Sequence, residues 1–139
     1  MRKVRFAIVI ILFVLPMIFA GCRSKEGSPE YFYREAHVDS VAVEITDSIP
    51  PQVNAIINGT LPDACTRIGS VKQDIKNHTF IITITTRRPV EEVCAQTVTP
   101  FQVTTPLAVE GLPAGVYTVI SNGVTASFEL EKGTLIPVQ

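Results

Sequence analysis

The most regular feature of the chain is an alternation of apolar and polar residues with a period of two, which runs from about residue 38 to residue 131. This alternation is typical of β-strands that turn one face to a core and the other to water. The strongest example, Thr79–Thr86, consists almost entirely of β-branched and aromatic residues, which favour a packed, pleated surface. Three of its side chains are expected to face the core: Phe80, Ile82 and Ile84.

Seven or eight strands follow from this pattern, separated by residues that favour turns. Asn122-Gly123 between two apolar runs is a strong hairpin signal, because both positions of a type I′ turn need positive φ. We expect a polar edge strand over 65–76 and a short strand or turn over 90–97. The other predicted strands cover residues 38–46, 53–58, 79–86, 99–109, 116–120 and 124–131.

These strands recur about every ten residues, and no segment has a convincing helical period. The spacing predicts an all-β fold, an immunoglobulin-like antiparallel β-sandwich. The chain contains no Trp, so this prediction concerns the architecture and not membership of the immunoglobulin family.

The amino-terminal segment follows a different pattern. Arg2, Lys3 and Arg5 precede an uncharged apolar run, Phe6–Ala20, which is the order of a secretory signal peptide. The run is shorter than the roughly 20 residues that a membrane-spanning helix needs. The small residues before Cys22 resemble the lipobox of bacterial lipoproteins.

That resemblance implies that Cys22 receives a diacylglyceryl group and becomes the first residue of the mature protein. Two acyl chains suffice for stable membrane anchoring. Arg23, where lipoproteins retained in the inner membrane carry Asp, favours the outer membrane of a two-membrane cell. In a one-membrane cell the protein would lie on the outer face of the plasma membrane. Two alternatives remain open: an ordinary signal peptide that leaves Cys22 as a thiol, and a permanent membrane span.

The predicted organisation is therefore a signal peptide (1–21), a lipidated cysteine with a flexible tether (22–37), a sandwich domain (38–132) and a carboxyl-terminal tail (133–139). The tether contains three consecutive aromatic residues, Tyr31, Phe32 and Tyr33. We expect them to dock on the domain, lie at the membrane interface or bind a partner.

Composition restricts the partners. The chain has a formal charge of −1, and removing residues 1–21 leaves nine Lys and Arg against 13 Asp and Glu. This mild acidity argues against nucleic acid, which requires clustered basic residues. The membrane is expected to be contacted only through the lipid anchor. The sequence does not specify an oligomeric state.

Cys65 and Cys94 remain once Cys22 is assigned to lipid, and an even pair in an oxidising compartment predicts a disulfide. Closing a loop of this length would stabilise the fold by about 3–4 kcal/mol. The alternative is a metal or redox site, but the pair lacks the CxxC spacing typical of one.

Candidate chemistry is sparse. His37 and His78 are the only imidazoles, no Gly-x-Ser-x-Gly motif is present, and Glu91-Glu92 would point to opposite strand faces. We therefore expect no catalytic, metal or cofactor site and no enzyme. Arg87-Arg88 could bind a carboxylate or phosphate, or simply be a solvated strand end that discourages edge pairing.

The segment Leu61–Cys65, together with Cys94 and Gly111–Val119, resembles small secreted bacterial domains without an assigned activity. The leading hypothesis is a lipid-anchored extracytoplasmic module of the bacterial cell envelope that binds an envelope protein or glycan or has a structural role. The alternative is an inhibitor of secreted peptidases that presents Leu61–Ala64 or Gly111–Gly115 as its inhibitory loop.

Overall fold

The computed structural model describes residues 28–46, 48 and 52–131. The predicted signal peptide (1–21), the predicted lipidation site Cys22 and the predicted tail (133–139) lie outside these ranges. Among the described residues no helix is long and apolar enough to cross a membrane. The described chain forms eight strands: β1 (Tyr31–Glu35), β2 (His37–Thr46), β3 (Gln52–Leu61), β4 (Arg67–Lys76), β5 (Thr79–Pro89), β6 (Thr99–Pro106), β7 (Gly115–Ser121) and β8 (Val124–Leu130).

The strands form two sheets, which confirms the predicted all-β sandwich of seven or eight strands with one disulfide. One sheet has the order β2-β3-β6. The other has five strands around β5, which pairs with β4 along one side. On its other side β5 pairs with β7 near residues 79–82 and with β1 near residues 85–89. The polar strand β4 lies at an edge, as its composition predicted.

One strand pairing departs from the antiparallel prediction. β5 and β7 run parallel, whereas the other described pairings are antiparallel. The reason is the connection from β6, which crosses from the three-stranded sheet and delivers β7 in the direction of β5. This long-range pairing leaves no mark on the local residue pattern.

The start of the domain also differs from the prediction. Residues 22–37 were expected to form a tether, yet Tyr31–Glu35 form β1 and pair with β5. The chain then changes sheets at Ala36 and continues directly as β2. In contrast, the segment predicted as a strand or turn over 90–97 is an irregular loop.

The core lies between the two sheets and contains the three residues predicted to face inward. Phe80, Ile82 and Ile84 are completely buried, as are Ala55 and Ile57 on β3. The core is aromatic where β5, β7 and β8 lie side by side, because the ring centres of Phe80, Tyr117 and Phe128 are 5.7–6.1 Å apart. Offset and tilted ring pairs at such separations are favourable.

Asn122 lies in the turn between β7 and β8 and links the two strands that share one side of β5. It does so at Ala36 and Ile84, between the part of β5 that pairs with β7 and the part that pairs with β1. The predicted hairpin turn Asn122-Gly123 has positive φ at both residues, 43° and 93°. The Asn122 amide donates to the carbonyls of Ala36 and Ile84, both at 2.8 Å, and accepts from the Ile84 N–H at 3.1 Å. One side chain thus occupies the place of a ladder hydrogen bond between Ala36 and Ile84.

Candidate binding groove

A groove forms at the end of the sandwich where the five-stranded sheet extends past the other sheet. The three-stranded sheet ends at Leu61 and Thr99, which pair with each other. β1 and the last residues of β5 continue beyond this point. Among the described residues, the groove-lining side chains that come from outside these two strands lie in loops, namely Pro62, Asp63, Thr66 and Gln96. The inner face of this overhang is therefore available to line a concave site.

The register of β1 and β5 determines which side chains face the groove. Phe32 lies opposite Arg88 and Arg34 lies opposite Thr86, on the side of the sheet that carries the core. The groove has a volume of about 390 Å³, which is in the usual range for ligand sites. The groove is lined by Phe32, Arg34, Pro62, Asp63, Thr66, Thr86, Arg88 and Gln96.

Asp63 organises the loop that forms one wall of the groove. Its side chain is buried, with 6% exposed. One carboxylate oxygen accepts hydrogen bonds from the N–H groups of Cys65 and Thr66 at 2.9 and 2.8 Å, and from the Thr66 hydroxyl at 3.0 Å. This is the local side-chain-to-backbone turn that Asp favours.

Arg88 completes the environment of Asp63. Its Nε donates to the second carboxylate oxygen at 3.0 Å. Burial by itself would raise the pKa of the Asp63 carboxyl. The hydrogen bonds donated within the loop outweigh that effect, and with the charge of Arg88 they lower the pKa below its ordinary value. The carboxylate is therefore ionised, and Arg88 serves mainly as its counter-ion.

Arg34 is the groove cation for which the described part of the chain supplies no such counter-ion. Its guanidinium lies 5.2 Å from the centre of the Phe32 ring, which is a cation–π distance. In the described part of the chain the ion pairs are Arg88 with Asp63 and His37 with Asp39, so no described carboxylate pairs with Arg34. The Thr86 hydroxyl donates to the Arg34 carbonyl at 3.2 Å and fixes its backbone.

The five residues predicted for interaction are divided between two faces of the sheet. Phe32 and Arg88 line the groove. Tyr31, Tyr33 and Arg87 lie on the opposite face, where the Arg87 guanidinium is 5.3 Å from the Tyr31 ring centre. Successive strand residues point to opposite faces, so neither the aromatic triplet nor the arginine pair can act as one contiguous patch.

A family model described as the ORF11 beta-sandwich domain matches residues 55–130, more than half of the chain. The chain belongs to this ORF11 β-sandwich family. The match includes Asp63, Thr66, Thr86 and Arg88 but begins only at residue 55, after β1, so Phe32 and Arg34 lie outside it.

Similar curated proteins come from Herpetosiphon aurantiacus and bear names that give a mass and a gene position. The "Uncharacterized 10.2 kDa protein in HgiCIIM 5'region" is 40% identical over 94 residues, which is 67% of this chain and 98% of that protein. Those in the HgiBIM and HgiEIM 5' regions are each 39% identical over 83 residues, 60% of this chain and 100% of theirs. No solved structure matches.

The disulfide of this ORF11 β-sandwich supports the groove. Cys65 and Cys94 are bonded, 29 residues apart in sequence, and join the Asp63 loop to the segment after β5. The Ala64 N–H also donates to the Ala95 carbonyl at 3.0 Å beside this bond. Asp63 lies close to both sulfurs, but disulfide sulfurs are not thiolates, so this trio is no metal site in the oxidised protein.

The two histidines lie outside the groove. His37 is exposed beside Asp39, at 3.3 Å. His78 packs against the Tyr117 ring at 4.9 Å.

Sequence reasoning missed six of the residues that line the groove: Arg34, Pro62, Asp63, Thr66, Thr86 and Gln96. Of these, Pro62 and Asp63 were considered only as part of the candidate inhibitory loop Leu61–Ala64. Two local signals were available. The period-two rule places Phe32 and Arg34 on one face if residues 31–35 are read as a strand. The Asp-x-x-Thr spacing at Asp63 and Thr66 is typical of a side-chain-capped turn. Gln96 lies in an irregular loop and carries no such signal.

Proposed function

We propose that this chain is a lipid-anchored extracytoplasmic binding module of the bacterial cell envelope and that the groove is its ligand site. The groove itself is the observation that supports this proposal most directly. It combines the exposed aromatic ring of Phe32, the cation of Arg34, with which no described carboxylate pairs, and a wall held by a disulfide. A largely preformed concave site with a few placed polar groups is typical of ligand binding. The ligand is an envelope protein or glycan.

The chemistry of the groove supports binding more than catalysis. Asp63 is saturated by hydrogen bonds and by Arg88, and its lowered pKa makes it a poor proton acceptor. Arg88 is also directed at the backbone carbonyls of Pro89 and Glu92, at 3.4 and 3.3 Å. These groups hold the wall in place and leave recognition to Phe32, Arg34 and Gln96.

The proposed anchor would keep the groove near the membrane. Eight residues separate Cys22 from β1. A fully extended connection of this length spans at most roughly 30 Å. Components of the same membrane leaflet and its adjoining layers are therefore the partners within reach.

Two experiments test the two parts of this proposal. Cys22→Ser is expected to move the protein from the membrane fraction to the soluble fraction, and unchanged fractionation would refute the anchor.

For the groove, a photo-crosslinking residue replaces Gln96 in the full chain, in cells of the bacterium that carries the gene. The matched control places it at Val116, which is 63% exposed at the other end of the sheet. A specific adduct from position 96 alone is expected, and equal labelling from both positions would refute the groove as the site.

The alternative function is inhibition of secreted peptidases, and of its two candidate loops Gly111–Gly115 is the suitable one. In Leu61–Ala64, Leu61 and Asp63 are buried, so this loop does not protrude as a substrate mimic would. In Gly111–Gly115, Pro113 and Ala114 are exposed, and the Tyr117 hydroxyl braces the loop by donating to the Pro113 carbonyl at 2.8 Å. A panel of secreted peptidases tests this candidate, and inhibition that a Pro113→Ala, Ala114→Asp variant abolishes would support it.

A further inference from the structure

Among the described residues, β1 forms an unpaired edge of the five-stranded sheet beside the groove. In the half that contains residues 79–82 of β5, this sheet has four strands side by side, β4, β5, β7 and β8. In the half that contains residues 85–89 of β5, it has three, β4, β5 and β1. Within the described residues no strand pairs with the far edge of β1. This unoccupied position continues the row that β8 occupies beside β7 in the other half of the sheet.

The hydrogen-bonding groups of this edge can be assigned from the ladder. The Ala36 N–H donates to the Ile84 carbonyl at 2.9 Å and the Val90 N–H donates to the Glu30 carbonyl at 3.0 Å. Antiparallel ladders use every second residue of a strand. The even-numbered residues of β1 therefore bond to β5, and the N–H and C=O groups of Tyr31, Tyr33 and Glu35 point to the open edge. Such an edge is a template for another strand.

A strand added at this edge would bring its inward side chains to the groove. Residues directly opposite on neighbouring antiparallel strands have Cβ atoms about 4.5–5.5 Å apart. The residue opposite Arg34 would thus meet a guanidinium that no described carboxylate neutralises. The residue two positions away would meet the ring of Phe32, which is 54% exposed. A carboxylate suits the first position and an apolar side chain suits the second.

We propose that β1 binds an extended, acidic peptide segment of a partner protein by strand addition, with a carboxylate on Arg34 and an apolar side chain on Phe32. This inference rests on the proposed binding function of the groove and specifies its ligand class. A second copy of this chain fits less well, because the one acidic residue of β1, Glu35, lies on the face opposite Arg34.

The test uses the purified full chain in detergent and a fluorescent probe peptide, acetyl-Thr-Val-Thr-Glu-Thr-Phe-Thr-Val-amide, with a second probe of reversed Glu and Phe order for the other strand direction. Binding is measured by fluorescence anisotropy. At least one of the two probes is expected to bind. Replacing its Glu by Gln, or Arg34 by Gln in the protein, is expected to weaken binding about tenfold, as for one charge-assisted hydrogen-bonded pair. The two changes together should cost little more than either alone, because they remove the same contact.

Backbone pairing is tested separately from charge. N-methylation of the probe amides that face β1 is expected to abolish binding, whereas N-methylation of the amides that face away should preserve it. In the protein, Tyr33→Pro removes an edge N–H that the β5 ladder does not use, and Tyr33→Thr keeps it. The proline variant alone should lose binding. Arg87→Gln, on the opposite face of the sheet, is the matched control for Arg34→Gln and should leave binding unchanged.

Several results would overturn the inference: no binding of either probe at about 1 mM, equal binding of the Gln probe, or no effect of the inward N-methyl groups. A full-chain dimer that Tyr33→Pro dissociates would assign the edge to a second copy instead. If the probes fail while the crosslink from position 96 persists, the groove binds another class of ligand. If both fail, the proposed function fails as well.

Discussion

Replacing Asn122 by Gly tests whether one side chain holds the two halves of the five-stranded sheet together. The substitution removes the amide that bridges Ala36 and Ile84 but keeps a residue that tolerates the positive φ of this turn. The Ile84 carbonyl retains its bond from the Ala36 N–H. The Ile84 N–H and the Ala36 carbonyl, in contrast, lose the partner that Asn122 supplies.

The expected cost follows from these three bonds. Each intramolecular hydrogen bond contributes about 0.5–1.5 kcal/mol net, and an orphaned buried group costs about 1–3 kcal/mol. Glycine adds about 0.4–1 kcal/mol by increasing the entropy of the unfolded chain. Because the turn is only half-buried and water can reach part of it, we expect a loss of about 2–4 kcal/mol in the free energy of unfolding. For a domain of this size that corresponds to a fall in Tm of about 10–20 °C.

Urea unfolding gives the free energy, and amide hydrogen exchange gives the location. The Ile84 amide should exchange much faster in Asn122→Gly than in the wild type, since its acceptor is gone. Gly123→Ala is the matched control. Its added methyl group meets nothing within 4 Å, so it introduces strain at φ 93° without removing a hydrogen bond. It should cost about 1 kcal/mol and leave Ile84 exchange slow.

An Asn122→Gly variant within about 0.5 kcal/mol of the wild type, the usual range of neutral surface substitutions, would refute this reasoning. So would equal losses in Asn122→Gly and Gly123→Ala, because the turn conformation would then explain the whole effect. Unchanged exchange at Ile84 would show that the amide does not depend on Asn122.

Three further predictions concern the disulfide, the buried carboxylate and a tight strand contact. Replacing Cys65 and Cys94 together by Ala should lower the free energy of unfolding by about 2–5 kcal/mol in urea, and an unchanged midpoint would contradict a structural bond. Because folding lowers the pKa of Asp63, the contribution of this carboxylate to stability should be complete at neutral pH and lost as the pH falls through the acid range. Asp63→Asn should therefore flatten the pH dependence of Tm in the acid range. An unaltered slope in this variant would assign the acid sensitivity to other groups. Gly59→Ala should cost about 1–3 kcal/mol or more, since the added Cβ would overlap both the His37 carbonyl oxygen on β2 and the Phe101 ring on β6. A Tm equal to the wild type would show that the β2 backbone and this ring can both move aside.

Much of the fold follows from local pattern. The alternation of Phe80, Ile82 and Ile84 predicts a buried central strand, and the structure has these side chains fully buried. Asn122-Gly123 predicts the last hairpin, because positive φ at both turn residues is a local requirement. The cysteine pair predicts the bond between Cys65 and Cys94 from compartment and parity alone.

The groove was not predictable in the same way. The candidate residues Tyr31, Phe32 and Tyr33 are adjacent in sequence, but the sheet sends Phe32 to the groove and the tyrosines to the other face. From its sequence context Arg88 could bind an external anion or be a solvated strand end, yet the structure pairs it with Asp63, which is 25 positions away. A tether was expected over residues that form β1, because five residues show no clear period without the strand that pairs with them.

The sequence by itself determined the all-β class, the central strand, the final hairpin and the disulfide, because each depends on residues close in the chain or on simple parity. Only the tertiary structure decided that β7 runs parallel to β5, that β1 joins the sheet and that the two sheets differ in length at one end. These features arise from pairings between distant segments, whose energies depend on the whole arrangement and not on any local pattern. The overhang created by that difference in length is what produces the groove.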